Sequence, residues 1–190
     1  RKMADVSAKM TSAGFYVDQS LHSKFVHEWE NKFKRSLYKL RDHTSVDFNL
    51  NSPKQVSAWL EQVVDEATLA EWPTTASGNL KTDYKTVNIY ASHLTAEEDS
   101  PLKLFFEYKK YFKLWSTYGL ALASRISPVT GRIHTSFTVA ETKTGRMSSF
   151  EPNLQNYPRD EQYRNCFCAA PGNYLVCADY SQIEVRVAAH

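Results

Sequence analysis

The sequence has 190 residues, of which 42% are hydrophobic and 23% are charged, and its formal net charge is +2. No stretch of about 18 apolar residues occurs, so the sequence predicts no membrane-spanning helix. Six glycines and seven prolines are too few for a collagen-like or low-complexity chain. The composition therefore favours one or two globular domains with a sizeable buried core.

Charged residues are unevenly distributed along the chain. Residues 1–43 carry nine positive and five negative side chains. Residues 61–100 carry two positive and eight negative side chains, and residues 101–119 carry four positive and one negative. This pattern fits a protein with one anion-facing side, but ordinary solvated helix faces would also produce it. The charges alone do not identify a nucleic-acid partner.

Two helices are predicted at the start of the chain. Gly14 is typical of the residue that ends a helix in a left-handed conformation, and Asp18 is typical of a residue that begins one. The long helix after Asp18 has apolar residues every four positions: Leu21, Phe25, Trp29, Phe33 and Leu37. This spacing predicts one continuous apolar stripe along the helix.

Further helices are predicted up to about residue 125. Ser52 and Ser100 are each followed by proline, a pair that favours a helix start. Between them, residues 72–83 are rich in Thr, Ser, Gly and Pro and predict a loop, and residues 84–93 predict a short helix.

Strand-like patterns follow residue 125. In chain order we predict a turn over residues 128–131, a strand over 132–140, a polar stretch over 141–161, a buried strand over 174–178 and a helix over 181–190. The sequence begins at Arg1 and stops at His190 inside the last predicted helix. We therefore expect it to be a segment of a longer protein.

The three cysteines are odd in number and close together in sequence. Cys166, Cys168 and Cys177 form no CxxC pair and have no fourth ligand at a zinc-like spacing. We interpret them as free thiols that are buried as small strand residues.

Asp179 directly follows the predicted buried strand. A carboxylate at the carboxyl end of a strand can bind a hard cation such as Mg²⁺, and it can equally cap the helix that follows. Position alone does not separate these two functions.

Several stretches carry a more specific signal because they occur together and in order. They are Phe48–Gln55 (FNLNSPKQ), Ser116–Tyr118 (STY), Pro128–Thr135 (PVTGRIHT), Thr144–Ser149 (TGRMSS), Pro152–Pro158 (PNLQNYP) and Asp179–His190 (DYSQIEVRVAAH). In this order they resemble family A DNA polymerases, the bacterial DNA polymerase I type. The resemblance extends along nearly the whole chain and is weakest over residues 66–100.

The resemblance implies an α+β fold, with a mainly helical thumb followed by the start of an antiparallel-sheet palm. The implied domains are lead-in helices at residues 1–43, the thumb at 44–125 and the start of the palm at 126–190. The last of these would hold the template-primer motif and the first metal-binding motif of an incomplete polymerase hand.

The same resemblance implies roles for individual residues. Asp179 corresponds to a catalytic carboxylate that binds metal, and the Tyr180 carbonyl corresponds to a second oxygen ligand. Ser181, Gln182, Ile183 and Glu184 lie in the implied nucleotide-binding motif, where Glu184 would exclude a ribose 2′-hydroxyl. The implied DNA contacts are Arg146, Asn153, Gln155 and Gln182.

The implied activity is template-directed addition of deoxynucleotides to a primer 3′ end in replication or repair. The implied cofactors are two Mg²⁺ ions, the implied partners are primer-template DNA and deoxynucleoside triphosphates, and the implied location is the cytoplasm of a bacterial or phage-infected cell. The spacing between Pro158 and Phe167 is a few residues shorter than the bacterial pattern, which is similar to viral or phage members. Whether Arg159 or Arg164 lies near the triphosphate stays open.

Two other functions remain as alternatives. The chain could belong to a non-catalytic module that binds duplex DNA, or to a relative of single-subunit RNA polymerases, against which Glu184 argues. The resemblance places the second metal-binding carboxylate and the fingers residues after residue 190. We therefore expect the 190-residue chain by itself not to extend a primer.

Overall fold

A computed structural model describes residues 2–44, 47–94, 100–139 and 141–189. The chain divides into two compact units, one formed by Arg1–His22 with Arg125–His190 and the other by Ser23–Ser124. Helices and two small antiparallel sheets make up the fold, which confirms the predicted α+β class. Among the described residues, no helix is both long enough and apolar enough to cross a membrane.

The unit Ser23–Ser124 consists of helices. In chain order they are the greater part of α2 (Gln19–His43), α3 (Pro53–Val63), α4 (Glu66–Glu71), α5 (Tyr84–Leu94), α6 (Pro101–Lys113), a π-helix (Leu114–Leu120) and α7 (Ala121–Ala123). The predicted helix starts are confirmed for α3, α5 and α6, and the predicted loop over residues 72–83 is present apart from one isolated bridge.

Aromatic side chains join α2 to α6. Phe33, on the predicted apolar stripe of α2, is buried, and its ring centroid lies 5.5 Å from that of Phe112 and 5.0 Å from that of Trp115. The ring of Tyr108 lies 6.3 Å away in an edge-on arrangement. Burial of large aromatic side chains dominates core energetics, so this cluster fixes α6 alongside α2.

Local hydrogen bonds explain where several helices begin. The Asp18 carboxylate accepts the backbone N–H of Leu21 at 2.9 Å, and the Ser100 hydroxyl accepts that of Lys103 at 3.4 Å. Ser52 precedes α3, but its side chain makes no capping hydrogen bond within the described residues. Proline at the first position, whose backbone angle already suits a helix, marks that start instead.

The π-helix Leu114–Leu120 is absent from the sequence prediction, which indicates only further helices up to about residue 125. It contains the Ser116–Tyr118 motif and ends beside Gly119, where an added Cβ would lie 3.1 Å from a methyl group of Val26. The missing side chain lets the two backbones approach, a tertiary contact that helical spacing does not reveal.

The other unit contains α1 (Lys2–Ala13), two sheets and short helices. The sheets pair β1 (Phe15–Tyr16) with β2 (Arg132–Ile133) and β3 (Ser136–Thr138) with β4 (Ser148–Phe150). The short helices are a 3₁₀ turn (Leu154–Asn156), α8 (Glu161–Arg164) and α9 (Ile183–Ala188).

The single strand predicted over residues 132–140 is wrong in its length. It is divided into β2, which pairs with β1, and β3, which pairs with β4, and the fully buried Thr135 lies between the two strands. The Thr135 hydroxyl lies 3.0 Å from the carbonyl oxygen of Phe150 and 2.7 Å from that of Pro152. The Thr135 side chain thus bonds to backbone carbonyls at the end of β4, and the regular strand pattern is interrupted at this residue.

The buried strand predicted over residues 174–178 is also wrong. The segment is irregular, and Tyr174 and Val176 are 96% and 86% exposed. A strand needs a neighbour to satisfy its backbone groups, and no described strand pairs with this segment. The predicted burial of the three cysteines is confirmed for Cys166 only. Cys168 is half-buried, and Cys177, which lies in this irregular segment, is exposed.

The last predicted helix is confirmed over a shorter range. It covers Ile183–Ala188 as α9 rather than residues 181–190. Gln182, just before it, has a left-handed backbone with φ of 50°. His190 lies outside the described residues.

Gly14 ends α1 with φ of 60°, as predicted, and its α-carbon faces the β1–β2 sheet closely. An added Cβ would lie 2.7 Å from the carbonyl oxygen of Ile133 and 2.8 Å from Nδ1 of His134. We expect Gly14→Ala to lower the free energy of unfolding by about 2 kcal/mol or more, because left-handed strain and a backbone clash add. Urea unfolding followed by circular dichroism measures the change.

Gly145 offers the matched control for Gly14. It belongs to the same unit and has φ of 71°, but no described atom lies within 4 Å of an added Cβ. Gly145→Ala should therefore cost only the left-handed strain, about 1 kcal/mol. Equal losses for the two variants would contradict the close approach at Gly14.

Candidate functional site

The β3–β4 sheet and the turn after it carry the predicted template-primer residues. Ser149 is buried in β4, and its hydroxyl accepts the backbone N–H of Leu154 at 3.0 Å. The side-chain oxygen Oδ1 of Asn153 accepts the backbone N–H of Gln155 at 2.9 Å and so caps the start of the 3₁₀ turn. These bonds fix the direction of the chain through the PNLQNYP motif.

The predicted DNA contacts in this motif already take part in the fold. Asn153 and Gln155 are exposed, but the Asn153 oxygen caps the 3₁₀ turn and the Gln155 amide donates to the Met147 carbonyl at 2.9 Å. The Ser148 hydroxyl lies 2.6 Å from that of Thr138 across the sheet. The side chains of Asn153, Gln155 and Ser148 therefore all form hydrogen bonds that stabilise the local fold.

A tight turn presents Arg146 at the surface. The backbone N–H of Gly145 donates to the Thr142 carbonyl at 3.0 Å, and the Thr142 hydroxyl donates to the Arg146 carbonyl at 2.8 Å. The turn leaves the Arg146 side chain 76% exposed.

Arg146 and Glu184 form an ion pair. Nη2 of Arg146 lies 3.0 Å from Oε1 of Glu184, and the Glu184 side chain is 72% exposed. The structure thus brings together two predicted site residues from different motifs, 38 positions apart in sequence. No spacing rule would have predicted this contact.

Asp179 and Tyr180 lie in the irregular segment before α9, and both are exposed. Ser181 follows in a turn, where its carbonyl accepts Nε of Arg186 at 2.9 Å. Ile183 and Glu184 form the first turn of α9, so Glu184 projects from a helix start. The structure therefore presents this motif at the surface, with Asp179 ahead of the helix rather than at a strand end.

Metal-binding groups are few in the described part of the chain. Among its residues, no group of three or more His, Cys, Asp or Glu side chains is arranged to hold a metal ion. The Asp179 carboxylate and the Tyr180 carbonyl are oxygen donors of the kind that Mg²⁺ prefers, but by themselves they supply only part of a site.

The two arginines considered for the triphosphate lie at different positions. Arg159 is exposed ahead of α8. Arg164, in the last turn of α8, lines a cavity of about 260 Å³ with Tyr157 and Phe167.

Comparison with known proteins identifies the class. The family model described as DNA polymerase family A matches residues 19–190. This match covers most of the chain, so the chain belongs to DNA polymerase family A, and the resemblance stated from its motifs is confirmed.

Individual relatives agree with the family match. DNA polymerase I of Pseudomonas aeruginosa is 38% identical over an alignment of 196 positions, which covers 99% of this chain and 20% of that protein. DNA polymerase I of Caldicellulosiruptor bescii is 34% identical over an alignment of 195 positions, which covers 100% of this chain and 22% of that protein. The chain thus spans about a fifth of the length of these curated relatives.

A solved structure matches the fold. It is the POL domain of Pol1 from M. smegmatis in a complex with DNA primer-template and dNTP, with a TM-score of 0.76 and 29% sequence identity. The match covers 97% of this chain and 32% of that chain.

Proposed function

We propose that the chain forms the thumb, at residues 44–125, and the start of the palm, at residues 126–190, of a template-directed DNA polymerase. Residues 1–43 lead into the thumb. The observation that carries this proposal is the match of 97% of the chain to a polymerase domain whose structure includes primer-template DNA and dNTP. The reaction would be phosphoryl transfer from a deoxynucleoside triphosphate to the primer 3′-hydroxyl.

Within this function, Asp179 and the Tyr180 carbonyl would hold a divalent cation, for which we propose Mg²⁺. Family A polymerases are generally metal-dependent, and a bound cation neutralises charge that develops on the transferring phosphate. Asp179 contributes the negative charge that keeps such an ion in place.

Other residues would bind the nucleotide and the duplex. Ser181, Gln182, Ile183 and Glu184 would contact the incoming nucleotide, with Glu184 beside the 2′ position of its sugar. Arg146, Asn153, Gln155 and Gln182 would contact the duplex. The minor groove presents similar acceptors on every base pair, so Arg146 could test pair geometry without reading sequence.

Primer extension by the complete protein that contains these residues tests the proposal. Extension that depends on the template and on all four deoxynucleotides supports it. Duplex binding without any extension would instead favour a non-catalytic DNA-binding module.

We expect the 190-residue chain to bind duplex DNA weakly and without sequence preference. Arg146 and the lysines Lys103, Lys110 and Lys113 would contribute to this binding. Lys109 is not included, because burial lowers its pKa and its Nζ lies 5.6 Å from the Phe105 ring centroid. Because each phosphate contact releases counterions, affinity should fall steeply as salt rises. Fluorescence anisotropy at several salt concentrations measures the slope.

A charge-matched pair of variants sharpens this measurement. Lys113→Gln should reduce the slope of log affinity against log salt by about 0.9, the value for one lost phosphate contact. Lys9→Gln, an equal charge change on exposed α1, should leave the slope nearly unchanged. A flat salt response, or a strong preference for one sequence, counts against duplex binding of this kind.

A further inference from the structure

The fully buried hydroxyl of Thr135 contacts the backbone at the start of the template-primer motif. Thr135 lies between β2 and β3, and none of the polymerase roles described above falls on it. Its Oγ1 lies 2.7 Å from the carbonyl oxygen of Pro152 and 3.0 Å from that of Phe150, which are 17 and 15 positions further along the chain. One side chain therefore contacts the backbone on both sides of Glu151.

Glu151 itself has a strained backbone. It is exposed and has φ of 52°, in the left-handed region that a residue with a side chain adopts only at an energetic cost. Such conformations persist where surrounding contacts hold them, and they are concentrated at functional sites. Thr135 supplies two of these contacts, to the residues directly before and after Glu151.

The side chains predicted to contact the duplex follow directly after this strained residue. The Pro152 carbonyl belongs to the planar peptide group that joins Pro152 to Asn153, so a hydrogen bond to its oxygen fixes the orientation of that group. Oδ1 of Asn153 then accepts the backbone N–H of Gln155, and the Gln155 amide donates to the Met147 carbonyl. Thr135 is thus the buried start of a series of contacts that ends at two exposed side chains.

We propose that Thr135 is a positioning residue for duplex binding, because its hydroxyl holds Asn153 and Gln155 in the orientation that meets the primer-template. This role rests on the proposed function, in which those two side chains contact the duplex. Thr135 is fully buried, so it does not touch DNA itself. Its effect reaches the duplex through the backbone of Pro152.

Two substitutions separate the hydroxyl of Thr135 from the volume of its side chain. Thr135→Val keeps the shape and removes the hydroxyl, so the carbonyl oxygens of Phe150 and Pro152 lose this donor. Thr135→Ser keeps the hydroxyl and removes a methyl group, which leaves a small cavity. Positioning by the hydroxyl predicts that Thr135→Val disrupts the motif and Thr135→Ser preserves it, whereas a packing role predicts the reverse.

The first measurement contains no DNA. Amide hydrogen exchange, followed by NMR on the 190-residue chain, reports how often the N–H groups of Leu154 and Gln155 open. These two groups donate within the motif, to Oγ of Ser149 and to Oδ1 of Asn153. Their exchange should become about tenfold faster in Thr135→Val, the effect of one lost hydrogen bond, and stay within about threefold of the parent in Thr135→Ser.

The second measurement uses the complete protein that contains this chain. Fluorescence anisotropy with a labelled primer-template gives the Kd of the duplex, and steady-state primer extension gives the KM of the deoxynucleotide. Thr135→Val should raise the Kd about fivefold to tenfold and leave the KM within about twofold, because Asn153 and Gln155 would contact the duplex rather than the nucleotide. Thr135→Ser should keep the Kd of the parent.

Ser7 offers the matched control in the same unit. Its hydroxyl donates to the carbonyl oxygen of Phe137 in β3 at 2.7 Å, so Ser7→Ala removes a bond of the same kind that does not involve the motif. Ser7→Ala should lower Tm, as Thr135→Val does, without changing the exchange of Leu154 or the duplex Kd. This comparison separates positioning of the motif from a general loss of stability.

A combined substitution tests whether Thr135 acts through the motif. When Asn153→Ala and Gln155→Ala are both present, the proposed duplex contacts are absent. Adding Thr135→Val to these two changes should then alter the duplex Kd by less than about twofold. A further loss of about fivefold would mean that Thr135 acts on another part of the molecule, contrary to the proposal.

Three further results would overturn the positioning role of Thr135. They are unchanged amide exchange in Thr135→Val, an equal acceleration in Thr135→Ser, and an unchanged duplex Kd in Thr135→Val despite faster exchange. A parent protein that binds no primer-template would contradict the proposed function itself. The two failures are distinguishable, because the exchange measurement contains no DNA and the binding measurement includes the parent.

Discussion

Under the proposed function, Asp179→Asn is expected to abolish nucleotide addition by the complete protein that contains this chain, while primer-template binding stays within about twofold of the parent. Asparagine keeps the size of the side chain and removes the charge that a hard cation requires. A loss of several kcal/mol of transition-state stabilisation corresponds to a rate decrease of about 10³-fold or more. Single-turnover primer extension measures the rate, and anisotropy with the same DNA measures binding.

The control for Asp179 is an equivalent change elsewhere in the same unit. Asp5→Asn, on exposed α1, makes the same chemical replacement and should leave extension unchanged. Equal losses of binding and rate in Asp179→Asn would show that Asp179 supports the structure rather than the reaction.

Glu184→Ala is expected to improve ribonucleotide incorporation relative to deoxynucleotide incorporation. If Glu184 fills the space beside the 2′ carbon, shortening it makes room for a hydroxyl. The gain should be about 1–3 kcal/mol, which is ~10-fold to ~100-fold in relative kcat/KM. The measurement is the ratio of kcat/KM for a ribonucleotide and its deoxy counterpart, in variant and parent.

The ion pair with Arg146 requires two controls for this experiment. Glu184→Gln keeps the size and removes the charge, so a steric mechanism predicts that discrimination is largely retained. Arg146→Ala removes the same ion pair and leaves Glu184 intact. Because both side chains are mostly exposed, the pair is worth at most about 1 kcal/mol and should have little effect on sugar choice.

These variants have different expected patterns. Only Glu184→Ala should change the ratio strongly, while Arg146→Ala should weaken duplex binding. An unchanged ratio in correctly folded Glu184→Ala would falsify the sugar-gate role. Relaxed discrimination in all three variants would instead assign the effect to the ion pair.

The sequence by itself determined the helix boundaries that depend on neighbouring residues. Gly14, Asp18 and the serine-proline pair at Ser100 act within one helical turn, so their backbone preferences and capping hydrogen bonds are visible in the local pattern. It also determined the family, because a series of motifs in a fixed order is specific even where each motif is short.

Only the tertiary structure decided which distant residues meet. Three contacts join residues that are far apart in the chain. They are the pairing of β1 with β2, the hydrogen bond of Thr135 to Phe150 where the predicted strand is interrupted, and the Arg146–Glu184 ion pair. The apolar run over residues 174–178 predicted a strand, yet strand formation requires a hydrogen-bonded neighbour, and no described strand provides one. The packing of α2 against α6 arises in the same way, because the aromatic contact of Phe33 with Phe112 joins two helices that are far apart in the chain.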